Sequence, residues 1–454
     1  FIKKICWHAF CIIYLVIKEQ EGEAMIKLAV IADDLTGAND TALQFAKRNI
    51  KSSVEINFMQ MEDIEDKEVV VVDTDSRDLD EYLSYKRVKD ICEKISRYNI
   101  KCVYKKIDST LRGNLGAEIK AVADVFKPDI VIIAPAYPAN QRITIGGYHL
   151  LEGKPIELTE IANAPKTPVK KSYLPAILQE QVNKNIAVID FKIIRQGANF
   201  INKKISKFID QGRRWIVCDI IEEENFITLM DAVKEYKNIL WVGSAGLAEY
   251  LPYYYRWSGE KVLSMDKRKG AILVCAGSVS HITQNQVQTL LNQENIHLVK
   301  INMVRLLEDK NSELIEKSRI INQLIKEQEN ILLATAQSDD EVEQAVEIGK
   351  KYNLSRKEIS EKIATIMAEL IKSIEVNSLS GMILTGGDMA VHICRAIGVN
   401  SIKIISEIDS GVPLGYIESD NLEKLFIVTK AGAFGKPDVF IKSIRAIEEF
   451  GVKY

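Results

Sequence analysis

Apolar residues along this chain fall into short runs, each stopped by polar or turn-forming residues. Lys27-Leu28-Ala29-Val30-Ile31-Ala32 ends at Asp33-Asp34-Leu35-Thr36-Gly37, and Ala38, Ala42, Phe45 and Ala46 then recur at helical spacing. An apolar run of this length bounded by turn residues reads as a buried strand, and the change of period marks a strand-to-helix turn. The same reading predicts first-half strands at 27–32, 68–73, 102–107, 129–134, 186–190, 215–219 and 239–242. Amphipathic stretches at 80–98, 114–126 and 196–210 predict helices between them. The rhythm breaks over 135–170, which carries five of the ten prolines and the pair Gly146-Gly147. A break of that length inside a domain predicts a functional loop or a small hairpin insertion.

A second lapse, aromatic and then charged, runs from Pro252 to Lys269. A fresh alternation follows, with strands predicted near 271–276, 296–301, 330–335, 381–385, 402–407 and 425–430, and helices at 340–350, 356–375 and 437–450. Repeated βα alternation implies mostly parallel sheets with helices on their faces. At 454 residues the chain is too long for one typical core. The expected architecture is α/β in two domains, 25–255 and 256–454, each a mostly parallel sheet flanked by helices, with a cleft between them. Residues 1–24 stand apart. Lys3 and Lys4 precede an apolar run from Ile5 to Ile17 that is short for a membrane span and lacks a small-x-small cleavage site. Glu21-Gly22-Glu23 before Ala24-Met25 is what a purine-rich ribosome-binding site encodes when read in frame. Met25 is therefore the expected start, and 1–24 a non-native or mis-annotated extension.

Composition narrows the function. Sixty basic residues against 63 acidic ones leave a net charge of −3, so no global field draws nucleic acid or a membrane. An anionic substrate must then be held by local arginines, lysines or helix ends. Seven scattered cysteines with no C-x-x-C pair and no zinc-like spacing speak against a disulfide framework or structural metal, and for a reducing cytoplasm. No metal ligand is nominated. The aromatic stretch at Tyr253 to Trp257 is a candidate contact surface for a homo-oligomer.

Open α/β sheets bind ligands at the carboxyl ends of their strands. Four such ends are rich in chemistry: Asp33, Asp34 and Thr36; Asp73, Asp75, Ser76 and Arg77; Lys105, Lys106, Asp108, Ser109, Thr110 and Arg112; Asn140, Gln141 and Arg142. Arg77, Arg112 and Arg142 can each grip a carboxylate or phosphate through paired N–H groups. The aspartates can accept hydrogen bonds from hydroxyls. Together they describe a pocket for a small polyhydroxy acid. Plainer readings stand beside this one. One aspartate of the first pair can cap the helix, and Ser109-Thr110 can cap the next. Arg112 can simply pair with a neighbouring aspartate. Lys105 and Lys106 alternate faces, so at most one points into the pocket. Of the histidines, His149 and His281, the latter at a helix start in the second half, lie near candidate sites, whereas His297 and His392 read as structural.

The second half shows a different chemistry. Gly277-Ser278, Gly386-Gly387-Asp388 and Gly432 to Gly435 each follow a predicted strand. Glycine turns feeding helix starts let backbone N–H groups approach phosphate oxygens. Three on one sheet edge suggest a nucleotide, although neither G-x-x-x-x-G-K-[ST] nor G-x-G-x-x-G occurs.

These stretches resemble a known family. A-D-D-L-T-G-A-N-D-T, D-T-D-S-R, K-I-D-S-T-L-R-G-N, P-A-Y-P-A-N-Q-R-x-T-I-G-G-Y and T-P-V look like the amino-terminal domain of the four-carbon acid sugar kinases. A-G-S-V-S-H-I-T, T-G-G-D, G-V-P-L-G and A-G-A-F-G-x-x-D look like its nucleotide-binding domain. The resemblance spans Met25 to Tyr454 with the motifs in order. It implies an ATP- and Mg2+-dependent kinase acting on the terminal C4 hydroxyl of threonate, erythronate or 3-oxo-tetronate. It also implies acid-sugar contacts from Asp33, Arg77 and Lys106 to Ser109, and ATP contacts from Ser278, Gly386, Gly387, Asp388, Met389 and Gly432. Thr36, Arg112 and Arg142 complete the expected substrate site, with Asp108 or Asp34 accepting the hydroxyl proton. Asp388-Met389 stands where the family usually has glutamate and a hydroxyl residue, and Ala431 and Ala433 where serine and asparagine are common. The rival readings are a non-catalytic sensor of sugar acid and nucleotide, or an isomerase or dehydratase on the same pocket.

Overall fold

Leu28–Ala32 forms β1, and all five of its residues are buried. A computed structural model describes residues 26–450 apart from 61–63, 65–66, 165, 260–267, 278–279, 294, 303–304, 307–308, 336–338, 352 and 433. Residues 1–24 and Ser278 therefore lie outside the described residues. The first half continues with β2 (Ser52–Glu55), β3 (Val69–Asp73), β4 (Val103–Lys106), β5 (Ile130–Ala134), β6 (Arg142–Ile145), β7 (Tyr148–Leu151), β8 (Lys154–Pro155), β9 (Ile186–Ile189), β10 (Trp215–Cys218) and β11 (Ile239–Gly243). The second half has β12 (Ala271–Ala276), β13 (His297–Lys300), β14 (Ile331–Ala334), β15 (Leu379–Thr385), β16 (Ser401–Asp409), β17 (Val412–Ser419) and β18 (Leu422–Lys430).

Fifteen of these strands form one sheet in the order β13-β14-β12-β15-β18-β17-β16-β2-β3-β1-β4-β11-β5-β10-β9. The strands from β2 to β9 run parallel, as do those from β13 to β18. The α/β class stands, but the expected pair of separate sheets is corrected to a single mixed one. Its seam is β16 against β2, antiparallel from Ser401↔Glu55 to Ile404↔Ser52. β16 falls on the strand expected at 402–407, whereas β2 and β17, on either side of it, escape a hydrophobicity reading for local reasons. β2 reads S-S-V-E, and β17 contains Pro413 and Gly415, both depleted in strands. The irregular segment 135–170 is largely the three-stranded hairpin sheet β6-β7-β8.

Helix Leu35–Ala46 joins the halves. It packs on β1, β2 and β3 and reaches β16, β17 and β18, and Asn39 Nδ2 donates to Thr429 Oγ1 at 2.8 Å. Six strand-to-strand steps separate β15 from β1. At the usual twist these rotate the strand direction by roughly 120–150°. A rotation of that size would offset the net reversal across the antiparallel pairs β2-β16, β16-β17 and β17-β18, and Gly387 beyond β15 lies against Thr36 at the start of this helix. The aromatic stretch after Pro252 is the last turn of helix Ala245–Tyr255. Tyr254, Tyr255 and Trp257 pack part-buried against the core, while Tyr253 remains exposed. The described cysteines 92, 102, 218, 275 and 394 are free and buried.

Candidate active site

Register alone assembles the first half of the site. Ala32 pairs with Asp73 on one side and Lys106 on the other, so the residues that follow β1, β3 and β4 emerge together. Asp34 takes an extended conformation and caps helix Leu35–Ala46, accepting from Gly37 N at 2.9 Å. The capping reading is correct, and it does not exhaust the residue. Arg77 donates from Nε and Nη2 to Asp33, at 2.6 and 3.0 Å, and from Nη1 and Nη2 to Asp34, at 2.7 and 2.6 Å. Arg112 holds Asp108 through Nε at 2.8 Å and Nη2 at 3.0 Å, and the Thr110 hydroxyl also donates to Asp108. Arg77 Nη2 lies 3.7 Å from Asp108 Oδ1, linking the two groups.

Gly37 is required by close approach. A Cβ there would lie 2.7 Å from both Asp34 Oδ1 and Lys106 Nζ. Lys106 is buried over the first helical turn and donates to the Ile107 carbonyl at 2.8 Å. Lys105 points to the opposite face, as strand alternation requires, and pairs with Glu118 at 2.7 Å in full burial. Glu118 also accepts from Ser76 and Ser84, at 2.9 and 2.8 Å. This buried anchor was not legible in the sequence, because Glu118 lies in the first turn of helix Leu115–Phe126, where an acidic residue reads as a solvated partner of the helix end.

The carboxylates differ in acidity. Burial raises Asp33, but Arg77 outweighs it and leaves the group below the ordinary value. Asp108 is also disfavoured by burial, yet Arg77 and Arg112 hold it well below that value. Asp34 is raised, by burial and by neighbouring Asp33, against the pull of Arg77. Arg142 stands apart from the other arginines. Its Nη1 donates to the Asn140 carbonyl at 2.8 Å, its Nε is buried without a hydrogen-bond partner, and it forms no ion pair among the described residues. His149 is fully buried between Thr144 Oγ1 at 2.9 Å and the Ser109 carbonyl at 3.0 Å, and burial pushes it down to about 4. It thereby fixes the loop that carries Asp108 and Ser109.

The glycine turns form the other wall. Gly386 has φ +101°, and its N–H donates to the Lys430 carbonyl at 2.9 Å. Gly387 opens helix Gly387–Ala396, and a Cβ on it would lie 3.0 Å from Thr36 Oγ1. Lys166 joins the walls, bonding Asp78 at 2.8 Å and Asp388 at 2.7 Å. Met389 packs on the Gly277 turn, where an added Cβ would overlap its Cε. The Gly432 carbonyl accepts from Ser280 and Thr283 hydroxyls at 2.7 and 2.9 Å.

Comparison with known proteins decides what this arrangement belongs to. The model of a sugar-binding N-terminal domain matches residues 28–251, and that of a nucleotide-binding C-terminal domain matches residues 273–440. A D-threonate kinase of Salmonella typhimurium is 30% identical over 433 residues, 93% of this chain and 99% of that protein. The chain belongs to the four-carbon acid sugar kinase family. A D-erythronate kinase of Heliobacterium modesticaldum is 27% identical over 91% of this kinase and 95% of its own length. A 3-oxo-tetronate kinase of Pectobacterium atrosepticum is 25% identical over 94% and 100%. A solved structure from Salmonella typhimurium shares the fold with TM-score 0.80 at 22% identity, covering 94% of this kinase and all of that chain. One from Haemophilus influenzae does so with TM-score 0.75 at 21% identity, covering 92% and 100%.

The kinase is a phosphotransferase acting on four-carbon sugar acids, with a sugar-binding and a nucleotide-binding region. Its fold brings Asp33, Asp34, Lys106, Asp108, Arg77 and Arg112 into one charged cluster, and sets Thr36 against Gly387. Sequence reasoning passed over Lys166, Thr283 and Lys430. Lys166 and Lys430 each stand one residue before a quoted motif and Thr283 closes another, but their partners come from distant segments. Among the described residues no group of three or more His, Cys, Asp or Glu could hold a metal ion, and no helix is long and apolar enough to cross a membrane.

Proposed function

We propose that this kinase transfers the terminal phosphoryl group of ATP to the C4 hydroxyl of a four-carbon aldonate of the threonate, erythronate or 3-oxo-tetronate class. The observation that carries the reading is the abutment of Gly387 on Thr36, with Lys166 spanning Asp78 and Asp388. A nucleotide at the glycine turns and a sugar acid over the aspartate cluster would then be neighbours. Arg142 receives the C1 carboxylate, since Arg77 and Arg112 are already matched by aspartates. Asp33 and Asp108, held ionised, orient the hydroxyl chain. Asp34 accepts the C4 proton. Its raised affinity for a proton suits a base better than the strongly acidic Asp108 does. A weak base suffices, because phosphoryl transfer depends mainly on positioning and charge neutralisation.

Magnesium fits this donor set as a companion of the phosphates. It typically takes only one or two protein carboxylates, and Asp388, beside the glycine turn, is one. When bound it supplies charge neutralisation at the transferring group. The regions 25–255 and 256–454 act as two lobes closing over a cleft, which excludes water and limits futile ATP hydrolysis. The test is coupled ADP release with MgATP and a panel of D- and L-threonate, D- and L-erythronate and the 3-oxo-tetronates. Turnover with one member confirms the reading and names the acid, whereas silence across the panel overturns it.

A further inference from the structure

Beneath the glycine turns lies a buried cation that the site as described leaves unused. Register places Ala276, Thr385 and Lys430 side by side at the ends of β12, β15 and β18, so their side chains share one face. Lys430 is 4% exposed. Among the described residues its Nζ meets one hydroxyl, Thr283 Oγ1 at 3.4 Å, and the Phe440 ring at 5.6 Å, and it forms no ion pair. The same Thr283 hydroxyl bonds the Gly432 carbonyl, which puts the ammonium one hydroxyl away from the third glycine turn. Thr385, just before Gly386, is fully buried, and its Oγ1 has no hydrogen-bond partner.

A buried ammonium without an anion is costly unless something supplies the charge. An unpaired hydroxyl beside it at the same edge calls for an acceptor as well. A glycine turn follows each of the three strand ends, at Gly277, Gly386 and Gly432. We propose that Lys430, assisted by Thr385, receives a phosphate group of the bound nucleotide. This rests on the ATP reading above and deepens it, since the chain lacks the lysine-bearing phosphate loop that does this work in many nucleotide-binding proteins. Burial lowers Lys430 to about 8, so the cation is poised to be stabilised by an incoming anion.

Calorimetric titration of the full chain with MgATP, MgADP and adenosine tests the assignment. Lys430→Met should weaken MgATP and MgADP binding by about 10- to 100-fold, the loss of one charge-assisted contact, and leave adenosine binding and the KM for the sugar acid unchanged. Lys430→Arg should restore most of the affinity. Wild-type MgATP affinity should hold steady below pH about 8 and decline above it as the ammonium is lost, while Lys430→Arg stays flat. Should Lys430→Met fail to fold, Thr385→Val and the pH comparison carry the test. Unchanged MgATP affinity in a folded Lys430→Met, or in Thr385→Val together with a flat wild-type pH profile, would overturn the proposal while leaving the kinase reading intact. Absence of both MgATP binding and turnover in the wild type would overturn the two together.

Discussion

The two walls of the site handle charge in opposite ways. On the sugar-binding side every cation but Arg142 and Lys106 is locked to a carboxylate before any substrate arrives. On the nucleotide side the glycine turns carry Lys430 with no counter-charge among the described residues. The first wall is rigid and pre-paired, suited to reading the hydroxyls of a small neutralised acid. The second is under-compensated, suited to a polyanion that brings its own charge. The difference implies that substitutions on the first wall disturb stability as well as activity, whereas those on the second should show mainly in binding.

The sharpest way to break this comparison is at the aspartates. Asp34→Asn should lower kcat by about 10²- to 10⁴-fold, the usual worth of a positioned base, with the fold retained because asparagine also caps helices. Asp108→Asn should raise the sugar-acid KM more than it lowers kcat. Steady-state kinetics on both variants would reverse the assignment if Asp108→Asn were the one to lose kcat. Next in size is the buried anchor. Lys105→Met leaves Glu118 charged and unpaired at full burial, and should cost about 3–5 kcal/mol in urea unfolding. Lys105→Met with Glu118→Leu should recover much of that loss. A smaller effect comes from His149. It titrates near 4 when folded and near 6.5 when unfolded, so the unfolded chain binds the extra proton between those values. Stability should therefore fall by roughly 3 kcal/mol as pH drops through that window. Melting curves of the wild type and His149→Asn at pH 7 and pH 4.5 would show it, the variant losing less.

Much of the sugar-binding wall was legible because its residues sit directly beyond apolar runs. Asp33-Asp34, Arg77 and Asp108 each follow such a run, and parallel register does the rest. Partner choice was not legible. Nothing near Arg77 in sequence says that it will take both Asp33 and Asp34, and Arg142 can be set apart only once the others are seen to be engaged. The plain reading of Arg112 as an ion-pair partner of a nearby aspartate is met by Asp108. Lys430 reads as one more strand-end lysine until it is seen to be buried with no counter-charge among the described residues. The fold was legible as alternating strands and helices, but the seam was not. Its pairing is between segments nearly 350 residues apart, and Glu55 on β2 looks like a surface residue although it is wholly buried there.

That seam bears on how such a protein can arise and be taken apart. Its two regions are matched by separate domain models, which invites cutting the chain near 256–269 to obtain independent pieces. Yet β2 and β16 are interior strands only in each other's company. Severed, each piece would present a raw strand edge, the kind of surface that recruits stray chains into aggregates. Glu55, held by Lys67 at 2.8 Å and by Ser401 at 3.3 Å, sits on that line as a built-in deterrent to the wrong neighbour. The β2–β16 pairing thus makes each region the cover for an edge of the other, so a cut between them would expose two strand edges as well as break a linker.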